Sequence, residues 1–230
     1  MVGSTIARMT DAGVYCHAGP EQAVASTKAF IAQVTVLALL ALYLSNGSSP
    51  LHRPLLEELD RLPQKAEAVL THHDAIKKVA LQYADNRDFL FIGRKYGFPC
   101  ALEGALKLKE ISYAHAEGYP AGEMKHGPLA MIEPGFPTFA IAPSSEMLEK
   151  MYSNIEEVRA RKGPLIAIGS EGNTQLEKLV DDLITIPRVP EQLSPLLVAI
   201  PMQLFAYYIA VQKGYNVDRP RNLAKSVTVE

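Results

Sequence analysis

Cysteine is scarce in this 230-residue chain: Cys16 and Cys100 are its only two, far apart and in no CxxC or Cys/His spacing. That scarcity excludes a disulfide framework and a zinc site, and leaves the expectation of two reduced, buried thiols in a cytosolic protein. Charge of one sign is equally lacking. The 23 basic and 25 acidic side chains are scattered to a formal net charge of −2. With no basic block, the chain has no electrostatic footprint for nucleic acid. A membrane-spanning run is missing too. The apolar stretch 29–44 (AFIAQVTVLALLALYL), interrupted only by Gln33 and Thr35, falls short of the roughly 20 residues a bilayer requires. No basic stretch precedes it and it does not start the chain, so it is no signal peptide either. A helix apolar on every side is buried between layers or at a subunit interface, and that is its expected place. No P-loop or GxGxxG fingerprint occurs, and no cofactor is expected.

What is present suffices for a proper core. The length allows one large or two small domains, and 48% apolar with 21% charged residues is ordinary for a soluble globular protein. After Met1, Ser4 caps a predicted short helix, and residues 13–16 (GVYC) read as a brief strand. These two pieces either add to a later sheet or end a domain whose beginning is absent. The apolar helix follows, from about Ser26 to Ser45, and the break NGSSP (46–50) ends it. Residues 51–61 and 63–85 read as two helices with Pro63 at the start of the second, a connector between two units. From residue 88 the period changes. The runs 89–92, 138–142, 165–168 and 183–186 are short and continuously apolar, as strands covered on both faces are. Helical stretches 99–116, 147–161 and 193–213 alternate with them, which predicts a doubly wound parallel α/β domain over about 85–215. The last residues, 219–230, show no sustained period.

Ligands bind such sheets where strands end and helices begin. The corner 92–97 carries Gly93, Arg94, Lys95 and Gly97, which either meets a phosphate or is a tight turn with solvated basic side chains. On the next helix Glu103, Lys107 and Glu110 stand at i, i+4 and i+7 and share a face. A carboxylate and an amine so placed could do acid–base work on a carbonyl substrate, or form an ordinary surface ion pair. The glycine- and proline-rich stretch 116–128 reads as a loop offering His126 for proton transfer, or as a bare surface histidine. Glu123 and His126 match half of a carboxylate di-iron pattern whose second half is missing, so no metal site is expected. His72 and His73 are expected to face solvent.

The stretches HAGPEQAVASTKAF (17–30), ALEGALKLKEISYAHAEGYPAGEMKHGPLAMI (101–132), NIEEVRARKG (154–163) and RPRNLAKSVTVE (219–230) strongly resemble the glucosamine-6-phosphate synthase family, the glutamine–fructose-6-phosphate amidotransferases. The resemblance covers essentially the whole chain. It implies a five-stranded parallel sheet flanked by helices, the flavodoxin-like sugar isomerase (SIS) fold, preceded by the helical end of a truncated first SIS domain. The implied division is 1–50 for that remnant, 51–86 for a helical connector, 87–215 for the second SIS domain and 216–230 for a catalytic tail. The resemblance implies roles residue by residue. Glu110 would move the proton between C1 and C2 of the sugar, with Lys107 as its neighbouring amine. His126 would open the sugar ring, supplied across a homodimer, and Lys225 would form a Schiff base with the open-chain ketose. Val24, Ser26 and Ala224 would line the sugar site. It further implies a cytoplasmic enzyme that makes glucosamine 6-phosphate from fructose 6-phosphate and glutamine-derived ammonia. The family's glutaminase domain and phosphate-gripping Ser/Thr loop have no counterpart in the sequence, so weak activity or none is expected of the chain alone. The alternatives are a sugar-phosphate-binding SIS module and a related ketose–aldose isomerase.

Overall fold

A computed structural model describes residues 3–225; residues 226–230 of the expected catalytic tail lie outside the described residues. Five strands, β1 (Asp88–Gly93), β2 (His115–Pro120), β3 (Thr138–Ala142), β4 (Leu165–Ser170) and β5 (Asp182–Ile186), form one parallel sheet in the order β2-β1-β3-β4-β5. Leu90 pairs with Thr138 on one side of β1, and Asp88 with His115 on the other. The apolar runs are continuous because the sheet is covered twice. Alternate residues (Phe89, Phe91, Phe139, Ile141, Ile166, Ile168) enter one hydrophobic cluster, and their neighbours (Leu90, Ile92, Ala140, Ala142, Leu165, Ala167) enter a second.

The first cluster is closed by α4 (His73–Gln82), α5 (Gly97–Ser112) and α8 (Ser194–Gln212), the second by α6 (Leu148–Arg159) and α7 (Thr174–Leu179). Phe91 stacks on Phe139 at 5.0 Å, and Phe205 of α8 meets Phe139 edge-on at 5.1 Å, geometry that aromatic quadrupoles favour. α5 comes unusually near the sheet. A Cβ on Gly104 would lie 2.5 Å from Met202 Sδ of α8 and 2.9 Å from the Phe91 ring of β1, so any larger residue there forces one of them to shift. Since β1 leads to β2 through α5 on one face and β3 to β4 through α6 on the other, the topological switch lies between β1 and β3.

Several expectations change. Residues 13–16 form no strand: they are irregular, with Val14 68% exposed, because no neighbouring strand offers them a ladder. β2 runs through a stretch read as loop. It is an edge strand, paired on one side only, so it tolerates Gly118 and a terminal Pro120 and needs no apolar run. The preceding helix stops at Ser112 rather than residue 116 because Tyr113 turns into the left-handed region at φ +59°. Pro63 starts no helix: α3 (His52–Thr71) runs through it, and the break falls at His72. The short α7 has no counterpart among the predicted helices. α1 (Thr5–Met9) is capped by Ser4 as expected, its hydroxyl accepting from Ala7 N. The apolar helix, α2 (Lys28–Ser45), packs on α3 and α8 along one side. Only Leu42 is buried, while Leu37, Leu40, Tyr43 and Leu44 are exposed. By length and composition alone α2 and α8 are both apolar enough to cross a membrane, but α8 is mostly buried in the core.

Candidate active site

α5 builds the first part of the site. Its leucine and alanine face anchors it to the sheet, and at the i, i+4 and i+7 positions it carries Glu103, Lys107 and Glu110. Lys107 Nζ donates to Glu110 Oε2 at 2.5 Å and stands 3.6 Å from Glu103 Oε1, an ion pair too long to be a hydrogen bond. The Lys107 side chain is only 4% exposed and those of Glu103 and Glu110 are 12% and 21%, which removes the ordinary-surface-pair reading. Glu103 Oε1 is buried without a hydrogen-bond partner among the described residues. Burial pushes the Glu103 carboxyl up, Lys107 pulls it back, and the Glu110 charge adds to the rise. One ammonium between two carboxylates leaves a surplus of negative charge. Glu110 is the most open of the three.

The second part is the tail. Lys225 Nζ donates to Glu21 Oε2 at 2.9 Å, while Glu21 Oε1 accepts from Thr27 N and Ala29 N at the start of α2. Val24 N donates to Asp218 O at 2.9 Å. This brings Lys225 and Ala224 to the segment that carries Val24 and Ser26, both half-buried. The tail has no regular element, yet it is well tied. Arg221 N donates to Tyr113 Oη, and the Arg221 guanidinium lies 4.3 Å from the centre of the Tyr113 ring. Tyr113 also touches Tyr215, with ring centres 4.7 Å apart. As the C-cap of α5, three residues beyond Glu110, Tyr113 links the tail to the triad helix.

His126 stands apart. It ends a 3-10 turn (Ala121–His126), its side chain 73% exposed, with Nε2 3.6 Å from Glu123 Oε2. No hydrogen bond or ion pair among the described residues joins it to the triad or to the tail. Nor does any join Lys225 to Lys107 or Glu110. The Arg94–Lys95 corner is paired rather than free, although Lys95 stays exposed. Arg94 Nε donates to Asn154 Oδ1 at 2.9 Å, and Lys95 bridges Glu146 and Glu191 at 2.8 and 2.6 Å, pairs that hold the Lys95 ammonium well above its usual range. Glu21, Tyr113 and Arg221 escape a reading of motifs because their role lies in contacts across the chain. Glu21 does sit inside the conspicuous stretch 17–30.

An open five-stranded parallel sheet with helices on both faces, one of which carries a largely buried carboxylate–amine–carboxylate face, defines a doubly wound α/β protein. The chain belongs to the SIS domain family, whose model matches residues 82–213. Among curated proteins it is similar to the glutamine–fructose-6-phosphate aminotransferase [isomerizing] of Chlorobaculum tepidum, 55% identical over 233 residues, and to that of Corynebacterium glutamicum, 50% identical over 237. Both alignments take in the whole of this chain but only 38% of the relative, so the chain spans well under half the length of the proteins it matches. Among solved structures it is similar to the C-terminal domain of glucosamine-fructose-6-phosphate aminotransferase from Francisella tularensis. There the TM-score is 0.88 at 36% identity, covering 95% of this chain and 62% of that one.

Proposed function

We propose that this chain is part of the synthase that converts fructose 6-phosphate and glutamine-derived ammonia to glucosamine 6-phosphate, and that it carries residues of the ketose–aldose isomerisation site, with weak turnover or none by itself. The observation that carries the reading is the buried Glu103–Lys107–Glu110 face. A carboxylate held by a desolvated ammonium at 2.5 Å supplies a fixed base able to move a proton between adjacent carbons. The similarity to isomerising aminotransferases over the full chain supports it.

In this reading His126 protonates the ring oxygen and opens the sugar. Its high exposure and its distance from the other groups suit delivery into a neighbouring subunit's site, and the open apolar side of α2 suits a homodimer. The neutral Lys225 amine attacks C2 of the open-chain ketose. The C–N bond forms, the carbonyl oxygen leaves as water, and the iminium acidifies the C1–H bond. Ammonia adds to the C2 iminium and the Lys225 amine leaves, so that the new nitrogen is in place while C2 is still unsaturated. Glu110 then takes the C1 proton to give the enaminol and returns it at C2, the C1 hydroxyl losing its proton to solvent as the aldehyde forms, with Lys107 balancing the charge Glu110 gains and loses. Val24, Ser26 and Ala224 border the sugar. The division into 1–50, 51–86, 87–215 and 216–230 and a cytoplasmic setting go with this reading.

Trapping tests it. The chain is mixed with fructose 6-phosphate, reduced with borohydride and mapped by peptide mass spectrometry. A reduced hexitol phosphate on Lys225, absent from Lys225→Ala, is expected. No adduct, or one that persists in the variant, would overturn the assignment.

A further inference from the structure

Glu21 has no part in the chemistry above, yet it is held from two directions. Its side chain is 11% exposed. Oε1 accepts from Thr27 N at 2.9 Å and Ala29 N at 3.1 Å, and Oε2 faces Lys225 Nζ at 2.9 Å. Burial alone would push the carboxyl up. The Thr27 amide, Lys225 and the Ala29 amide outweigh that and bring it down to about 2. The two oxygens therefore divide their work: one organises the entry to α2, and the other is left for the tail amine. An open pocket of about 250 Å³ adjoins them, lined by Pro20, Ala23, Ala25, Thr27 and Lys28.

We propose that Glu21 is the positioning residue and counter-ion of Lys225, fixing its nitrogen against the segment that carries Val24 and Ser26 and compensating its charge before and after condensation. The catalytic half of this inference rests on Lys225 being the condensing amine; the contact itself does not. Opposite the Glu21 carboxylate the step starts from the protonated nitrogen. It releases one proton to solvent, attacks C2, and ends as a protonated iminium once water has left. Glu21 thus faces a positive nitrogen at both ends of the step and favours the iminium over the neutral carbinolamine between them, as a carboxylate at close range must.

Glu21→Gln isolates the role, because an amide oxygen still accepts from Thr27 N and Ala29 N while the charge opposite Lys225 is gone. Limiting acetic anhydride with peptide mass spectrometry measures the reactivity of Lys225 against that of exposed Lys150. Lys225 should react about fivefold faster in Glu21→Gln than in the unaltered chain, since a charge-assisted hydrogen bond protects it only in the latter. The melting temperature should fall by roughly 3–8 °C, because the stability linked to the lowered Glu21 carboxyl goes with the charge, and the acylation ratio is therefore read well below the transition. Glu21→Asp keeps the charge with a shorter reach and should fall between the two, which guards against a folding artefact. Equal reactivity of Lys225 within about twofold in all three would overturn the inference.

A second measurement tests the catalytic half. With saturating fructose 6-phosphate and borohydride, Glu21→Gln should yield about tenfold less Lys225 adduct, while the Kd for the sugar stays within about twofold. A merely structural Glu21 would move both together. If the unaltered chain forms no adduct, the condensing role of Lys225 fails, and the acylation ratio alone decides whether Glu21 holds it.

Discussion

Lys107 sits between Glu103 and Glu110 with almost no solvent contact, and its removal would leave two buried carboxylates facing each other. Lys107→Met fills the same volume without charge and should destabilise the fold by about 3–5 kcal/mol at pH 8, as breaking one side of a buried ion pair does. The loss should depend on pH in a definite direction. Glu103 is raised above its usual value in the fold, so the folded state binds the extra proton. Stability linked to it is present at low pH and declines as pH rises through the folded pKa. Without Lys107 pulling it down, Glu103 rises further, and the deficit of Lys107→Met should shrink between pH 8 and pH 5. Urea midpoints at the two pH values measure this, and a deficit that grows on acidification would contradict it. The triad was legible in sequence because its members lie within one helix, where a spacing of three or four residues is a contact. The Glu21–Lys225 pair was not, because 204 residues separate the partners and no local period reports a contact closed by the fold.

At the scale of elements, the apolar runs of β1, β3 and β4 identified themselves because each is covered on both faces, and β5, an edge strand with Thr185 exposed, did so through Leu183, Ile184 and Ile186. β2 did not. At the sheet edge its ladder needs one partner, and its close fit under α5 is made by a missing side chain: a Cβ on Gly118 would lie 2.7 Å from the Leu102 backbone. α3 misled for the opposite reason. Pro63 is a strong local signal, but the amphipathic face that buries Leu62 and Val69 outweighs it. An interior proline costs a helix about 3 kcal/mol, partly offset by a stiffer unfolded chain. Pro63→Ala should therefore stabilise the protein by about 1–2 kcal/mol, seen as a higher urea midpoint at unchanged slope; a lower midpoint would show that the kink itself is needed. Gly104→Ala should do the reverse. Its gain in helix propensity is about 1 kcal/mol, but the added methyl meets Met202 and Phe91, and Phe91 is pinned against Phe139. A net loss of about 1–2 kcal/mol is expected from such overpacking, and a melting temperature equal to that of the unaltered chain would refute it.

For the molecule as a whole, α2 poses the physical question. Its composition predicted a buried helix, and the fold buries one side of it. Leu37, Leu40 and Leu44, at i, i+3 and i+7, remain outside with Tyr43, between 41% and 78% exposed. A patch of this kind is more apolar than a monomer's surface ordinarily carries, and area removed from water there stabilises association at roughly 25 cal/mol per Å² before the losses of binding. His126 lies on the surface with no contact to the triad among the described residues, so a second subunit is also what the proposed ring-opening step needs. The two features make separate demands, which lets them be tested apart. Sedimentation equilibrium of the chain at micromolar concentration should show a dimer. Leu37→Glu combined with Leu44→Glu should shift it to monomer, with little change in melting temperature, since both side chains already face water. If the charged variant stays dimeric, association runs through another surface. If it becomes monomeric yet retains Lys225 trapping with 5-deoxyfructose 6-phosphate, which cannot close a furanose ring, while losing trapping with fructose 6-phosphate, the subunit contact and the donated histidine belong to one assembly.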